Sequence, residues 1–131
     1  PCLAKRHEAD SVDEVDYVMS FEELGAFMVA YDIDVANCSE KELNHEVTKY
    51  GRGFAQAGGV QAAVVNAIGD KYSNIHIEGL DKKNQALLKS MAKKPDAQFV
   101  EVMACDGGCI NGPCSLAPLT LAKRQIKKVL E

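Results

Sequence analysis

The sequence predicts an α/β fold, a small and mainly parallel sheet flanked by helices. Three observations carry this. Short apolar runs that suit strands, at residues 15–19, 75–78 and 98–103, alternate with longer stretches at helical spacing, and that alternation builds parallel sheets. Hydrophobic residues make up 47% and charged residues 26% of a 131-residue chain, a globular balance at the size of one domain or lobe. A loop rich in glycine and cysteine directly follows the last apolar run, where α/β sheets gather their ligand sites.

Taken in order, VDYVM at residues 15–19 predicts a short buried strand. Ser20 stands three residues before Glu23, a capping box. Phe21, Leu24, Met28 and Tyr31 then recur at helical spacing, so an amphipathic helix covers 21–31 with these residues in the core. Ser39 and Glu42 repeat the capping pattern and predict a short helix near 40–47, with His45 on its surface. GRGFAQAGG at 51–59 holds four glycines and predicts a loop. A helix follows over 59–68, with Val60, Val64 and Ile68 on one face and Gly69 as a left-handed cap. Ile75 and Ile77 alternate with His76 and Glu78 as a strand, His76 facing solvent or an edge. Asp81 caps a helix over 82–93 with Leu87, Leu88 and Met91 inward; Lys93 and Lys94 complement its dipole and Pro95 ends it. QFVEVM at 98–103 forms the third strand. Pro118 opens the last helix at its first position, with Leu119, Ala122, Ile126, Val129 and Leu130 on one face. Lys123, Arg124, Lys127 and Lys128 form its solvated side.

The formal charge of −4 at pH 7 gives no electrostatic case for nucleic acid or an anionic membrane surface. No run approaches the roughly 18 apolar residues of a membrane span, and there is no signal peptide. Pro1 lacks an initiator Met, so the start reads as a processed end or the edge of a longer chain. The odd count of five cysteines argues against a secreted disulfide framework. Cys105, Cys109 and Cys114 lie within ten residues, a clustering that in a reducing cytoplasm serves metal binding or redox chemistry. Cys38 is expected to be a buried apolar residue.

Two segments carry chemistry: PCLAKRHEAD at 1–10 and FVEVMACDGGCINGPCS at 99–115. Gly107 and Gly108 remove bulk between Cys105 and Cys109, so the backbone can wrap an inorganic centre and aim N–H groups at its sulfurs. Thiolates are soft ligands that suit iron. Zinc is the competing reading, although zinc sites favour paired short-spaced knuckles and closed tetrahedral sets.

The order of motifs resembles the iron-only (FeFe) hydrogenase catalytic domain. PCLAKRHEA is similar to the family's Pro-Cys-x-x-Lys-x-x-Glu-Ala, and VDYVMSFEELGAFM to the strand-to-helix segment after it. FAQAGGVQAAV resembles the Gly-Gly-Val helix start, and FVEVMACDGGCINGP the Glu-Val-Met-Ala-Cys-x-x-Gly-Cys-x-x-Gly motif. The resemblance implies that residues 1–131 form a single lobe, the C-terminal part of a longer hydrogenase-like chain. It implies a 4Fe–4S cluster and a di-iron subsite in the full-length protein, and none in this fragment alone. Cys2 and Cys105 match cluster ligands, and Cys109 matches the cysteine that bridges to the di-iron subsite. Lys5 matches a lysine that hydrogen-bonds a cyanide of that subsite, Met103 a methionine beside the diatomic ligands, and Glu8 a motif carboxylate nearby. Read without the resemblance, Lys5 is a surface lysine and Glu8 a helix N-terminal charge.

Two departures qualify the match. The fourth cluster ligand and the proton-transfer thiol belong to an upstream Cys-Cys-Pro-type motif that these residues do not include. The family's Gly-Gly-Gly-Gln-Pro tail is replaced by Gly112-Pro113-Cys114-Ser115-Leu116, which makes Cys114 a candidate replacement ligand. The function implied is interconversion of protons, electrons and hydrogen in the full-length cytoplasmic protein, with the fragment inactive. The alternatives are a sensory or regulatory iron–sulfur protein on the same scaffold, or a hydrogenase-like iron–sulfur assembly factor. The implied partners are the upstream segment and a ferredoxin-like electron donor or signalling module.

Overall fold

The computed structural model describes residues 2–42 and 47–131. They divide into two compact units. One comprises the chain up to residue 46 with Gly112–Leu116; the other comprises Val47–Asn111 with Ala117–Glu131.

The first unit holds helices α1 (Ala4–Ala9) and α2 (Phe21–Ala30) and a 3₁₀ turn at Val35–Asn37. The capping box forms as expected: the Ser20 hydroxyl accepts from Glu23 N–H at 3.2 Å, and Glu23 accepts from Ser20 N–H at 2.8 Å. Glu23 also pairs with Arg6, which ties α1 to the start of α2. The core expectation for α2 is corrected. Leu24 and Met28 are half-buried, but Phe21 and Tyr31 are exposed, and no hydrophobic side chain described in this unit is buried.

Residues 15–19 are likewise not a buried strand. The segment is irregular and Tyr17 is 88% exposed. An apolar run becomes a strand only beside a hydrogen-bonding neighbour, and among the described residues this one has none. Cys38 is also exposed, its thiol donating to the Asp34 carbonyl at 3.3 Å rather than packing in a core. Of the helix expected near 40–47, residues 39–42 are not helical; residues 43–46, with His45, lie outside the described residues.

The second unit contains helices α3 (Lys49–Arg52) and α4 (Gly59–Ile68), strand β1 (Asn74–Glu78), helix α5 (Lys82–Met91), strand β2 (Phe99–Met103) and helix α6 (Leu119–Leu130). β1 and β2 pair in parallel, from Asn74 opposite Phe99 to Glu78 opposite Met103, the small parallel sheet the sequence predicts. α5 is the crossover between them; Asp81 caps it by accepting from Asn84 N–H at 2.7 Å, and Met91 is buried at its far end. α4 packs on both strands, and α6 packs against α3 and the 3₁₀ turn at Cys109–Asn111. On α6, Leu119, Ala122, Ile126 and Leu130 are half-buried, while Val129 and the four basic residues are exposed.

Of the loop expected at 51–59, residues 51–55 are instead the end of α3 and a 3₁₀ turn at Gly53–Ala55, while 56–58 form the turn that leads into α4. Thr48 caps α3 by accepting from Gly51 N–H at 3.2 Å. The glycines here serve close packing: a Cβ on Gly59 would stand 1.9 Å from the Gly53 carbonyl oxygen. Two smaller corrections concern helix ends. Pro118 is the residue just before α6 rather than its first helical position. Gly69 has φ +84° but an extended ψ of 163°, so the chain leaves α4 straight instead of through a left-handed cap.

A candidate thiolate loop at the C-terminal edge of the sheet

Alternation along each strand and the pairing of His76 with Glu101 and Glu78 with Met103 place these four residues on one face of the sheet. Ile77, on the opposite face, is buried. A polar face bearing two carboxylates therefore looks toward the start of α4 and the cysteine loop.

Glu101 is only 5% exposed. A buried carboxylate needs donors, and Glu101 accepts from Gly58 N–H at 2.6 Å and Val60 N–H at 3.0 Å. Both are otherwise orphan donors at the N-terminal end of α4. The carboxylate thus caps α4 from across the sheet, replacing the local side-chain cap that α4 lacks.

The cysteine loop leaves β2 at Met103, whose carbonyl accepts from Gly79 N–H at 3.0 Å. Cys105 and Cys109 are half-buried and Gly107 and Gly108 are buried, with φ of +80° and +84°. A Cβ on Gly108 would lie 2.4 Å from the Ala57 nitrogen, so the loop rests directly on the backbone of residues 55–57. Bonds that hold it include Ala57 N–H to the Gly107 carbonyl at 3.3 Å, Gly108 N–H to the Cys105 carbonyl at 3.1 Å, and Gly107 N–H to Glu78 Oε2 at 2.8 Å. Beside it opens a polar cavity of about 260 Å³ lined by Gln56, Ala57, His76, Glu78, Gly107 and Lys123. His76 is exposed, as expected, and its Nδ1 lies 3.0 Å from Gln61 Oε1.

Of the candidate residues, the second unit brings Met103, Cys105, Gly107, Gly108 and Cys109 together on one edge. Cys2, Lys5 and Glu8 lie at or in α1 of the first unit, where Lys5 Nζ and Glu8 Oε2 pair at 2.5 Å. Cys114 belongs to the Gly112–Leu116 segment of the first unit. None of the five cysteines forms a disulfide. Among the described residues no group of three or more His, Cys, Asp or Glu side chains is gathered to hold a metal ion. The chemistry of the donor pair still fits an iron–sulfur group: two soft sulfurs flank a bend in which Gly107 and Gly108 carry no side chain and Asp106 is exposed. The sequence reading missed Glu78 and Glu101. The available signal was an acidic residue inside an apolar strand run, FVEVM, which a fold tolerates only when the carboxylate is satisfied.

The parallel pair, its crossover helix and the paired-cysteine loop beyond β2 define an α/β unit that presents two cysteines at the C-terminal edge of its strands. The chain matches the family described as iron-only hydrogenase large subunit, C-terminal domain, over residues 1–113, and it belongs to that family. It is similar to iron hydrogenase 1 of Clostridium pasteurianum, with 26% identity over 172 aligned positions that cover 98% of this chain and 30% of that protein. The chain therefore spans about a third of that relative's length. Because 172 positions exceed the 131 residues of the chain, the relative carries additional residues inside the matched span. No helix among the described residues is long and apolar enough to cross a membrane.

Proposed function

We propose that this chain supplies Cys2, Cys105 and Cys109 as thiolate ligands of a 4Fe–4S cluster in a longer hydrogenase-like oxidoreductase, with Cys109 also reaching a di-iron subsite. The observation that carries this is the Cys105–Cys109 loop, anchored just beyond β2 over a glycine bend. The family match supports it, because residues 1–113 include both cysteine motifs. When bound, such a cluster supplies electrons to the site where protons and hydrogen interconvert. The ammonium of Lys5 donates hydrogen bonds to an anionic ligand there, with Glu8 beside it to hold the side chain. Met103 supplies apolar, polarisable cover. The remaining ligand comes from an upstream segment, and electrons from a ferredoxin-like partner in the cytoplasm.

A sensory role on the same scaffold is the second reading. It is favoured by the end of the family match at residue 113, next to the departing Cys114-Ser115-Leu116 sequence. Hydrogen evolution from reduced methyl viologen by the anaerobically reconstituted full-length protein separates the two. Sustained turnover supports the oxidoreductase, and a loaded cluster without turnover supports sensing.

A further inference from the structure

The Gly107 peptide is gripped on both sides. Its N–H donates to Glu78 Oε2 at 2.8 Å, and its carbonyl accepts from Ala57 N–H at 3.3 Å. Glu78 has a fixed origin: it ends β1, and the Asn84 side-chain amide donates to the Glu78 and Gly79 carbonyls at 2.8 and 2.9 Å. A carboxylate on a locked strand end thus holds the middle of a loop whose two thiols stand two residues to either side.

We propose that Glu78 is a positioning residue that presets the Cys105–Cys109 loop for its metal group and lowers the reduction potential of the cluster bound there. This rests on the assignment of those two cysteines as ligands. Two physical effects act, the first on binding and the second on potential. The loop is ordered before the metal arrives, so less conformational freedom is lost on binding. The Gly107 N–H is committed to a carboxylate, which withholds a donor from cluster sulfur and adds fixed negative charge, and both disfavour the reduced, more negative cluster.

The test has two arms, both on the full-length protein. In the metal-free protein, alkylation of each cysteine is followed by peptide mass spectrometry. Glu78→Ala should react about tenfold faster at Cys105 and Cys109, the factor expected when one charge-assisted hydrogen bond no longer opposes local opening. Glu78→Gln, which keeps an acceptor, should stay near wild type, and exposed Cys38 should not change. In the reconstituted protein, Glu78→Ala should shift the cluster potential positive, and Glu78→Gln should do so by less. A purely structural role would lower cluster occupancy and leave the potential of the bound fraction unmoved. Should Glu78→Ala fail to fold, amide exchange of the Gly107 peptide in the wild type decides: slow exchange supports the proposal and unprotected exchange overturns it. Unchanged thiol rates in folded Glu78→Ala, or an unmoved potential, also overturn it. If no cluster binds at all, the ligand assignment fails while the metal-free arm still judges the role of Glu78 in the loop.

Discussion

Glu101 accepts the Gly58 N–H at 2.6 Å across 43 positions of sequence, joining the second strand to the glycine turn that opens α4. The bond has a structural consequence. Residues 55–57, just before that turn, form the surface on which Gly107 and Gly108 rest, so a carboxylate in the sheet braces the platform beneath the thiols.

Removing that brace should be costly. Glu101→Ala leaves the N–H groups of half-buried Gly58 and Val60 without an acceptor, and loss of hydrogen bonds to a charged group predicts destabilisation of about 3 kcal/mol. Urea denaturation of the two proteins checks this; a loss below about 0.5 kcal/mol would show that water or another group satisfies the turn.

Gly108 cannot carry a side chain. A Cβ there would stand 2.4 Å from the Ala57 nitrogen at a φ of +84°. Overpacking against backbone and left-handed strain together predict that Gly108→Ala costs about 2–5 kcal/mol. Thermal unfolding followed by circular dichroism measures it, and a melting temperature equal to wild type would contradict the close packing of loop on platform.

The cap of α5 gives a smaller, cleaner effect. Asp81 accepts from Asn84 N–H at 2.7 Å, and Asp81→Ala should cost about 1 kcal/mol. Asp81→Asn, which also caps well, should recover most of it in the same unfolding assay.

The Ser20–Glu23 box predicts a pH response. The Ser20 N–H first, and the Arg6 guanidinium next, hold the Glu23 carboxyl below its ordinary value of 4.5. A depressed folded-state pKa stabilises the helix start above the ordinary carboxylate range, and that contribution is lost as pH falls through the lower folded value. The Ser20 amide proton, followed by NMR, should therefore titrate with a midpoint below 4.5, and Arg6→Ala should move the midpoint upward. A Ser20 midpoint at or above the ordinary value would remove the capping box as the cause.

Most of the second unit was legible because its signals are local. Asp81 and Pro95 bound α5, the Ile75–Ile77 alternation marks β1, and the apolar positions of α6 recur every three or four residues. The paired thiols and their glycines were legible for the same reason. Less legible were features that depend on distant chain. Residues 15–19 have strand composition but no neighbouring strand among the described residues, so Val15, Tyr17 and Met19 stay exposed and only Val18 is half-buried. The glycines at 51–59 resemble those of a flexible loop in sequence, and only the approach of Gly59 to Gly53 shows that they permit packing. The roles of Glu78 and Glu101 lie in bonds spanning 29 and 43 positions; the local run FVEVM marks Glu101 as a carboxylate in need of donors but does not name them.

The most direct test of the central claim is iron and sulfide analysis of the anaerobically reconstituted full-length protein beside its Cys105→Ser and Cys109→Ser variants. The account predicts a cubane's iron and sulfide in the wild type and a clear loss of both in each variant, with the metal-free variants folding as the wild type does. Undiminished iron and an unaltered cubane spectrum in both variants would contradict it.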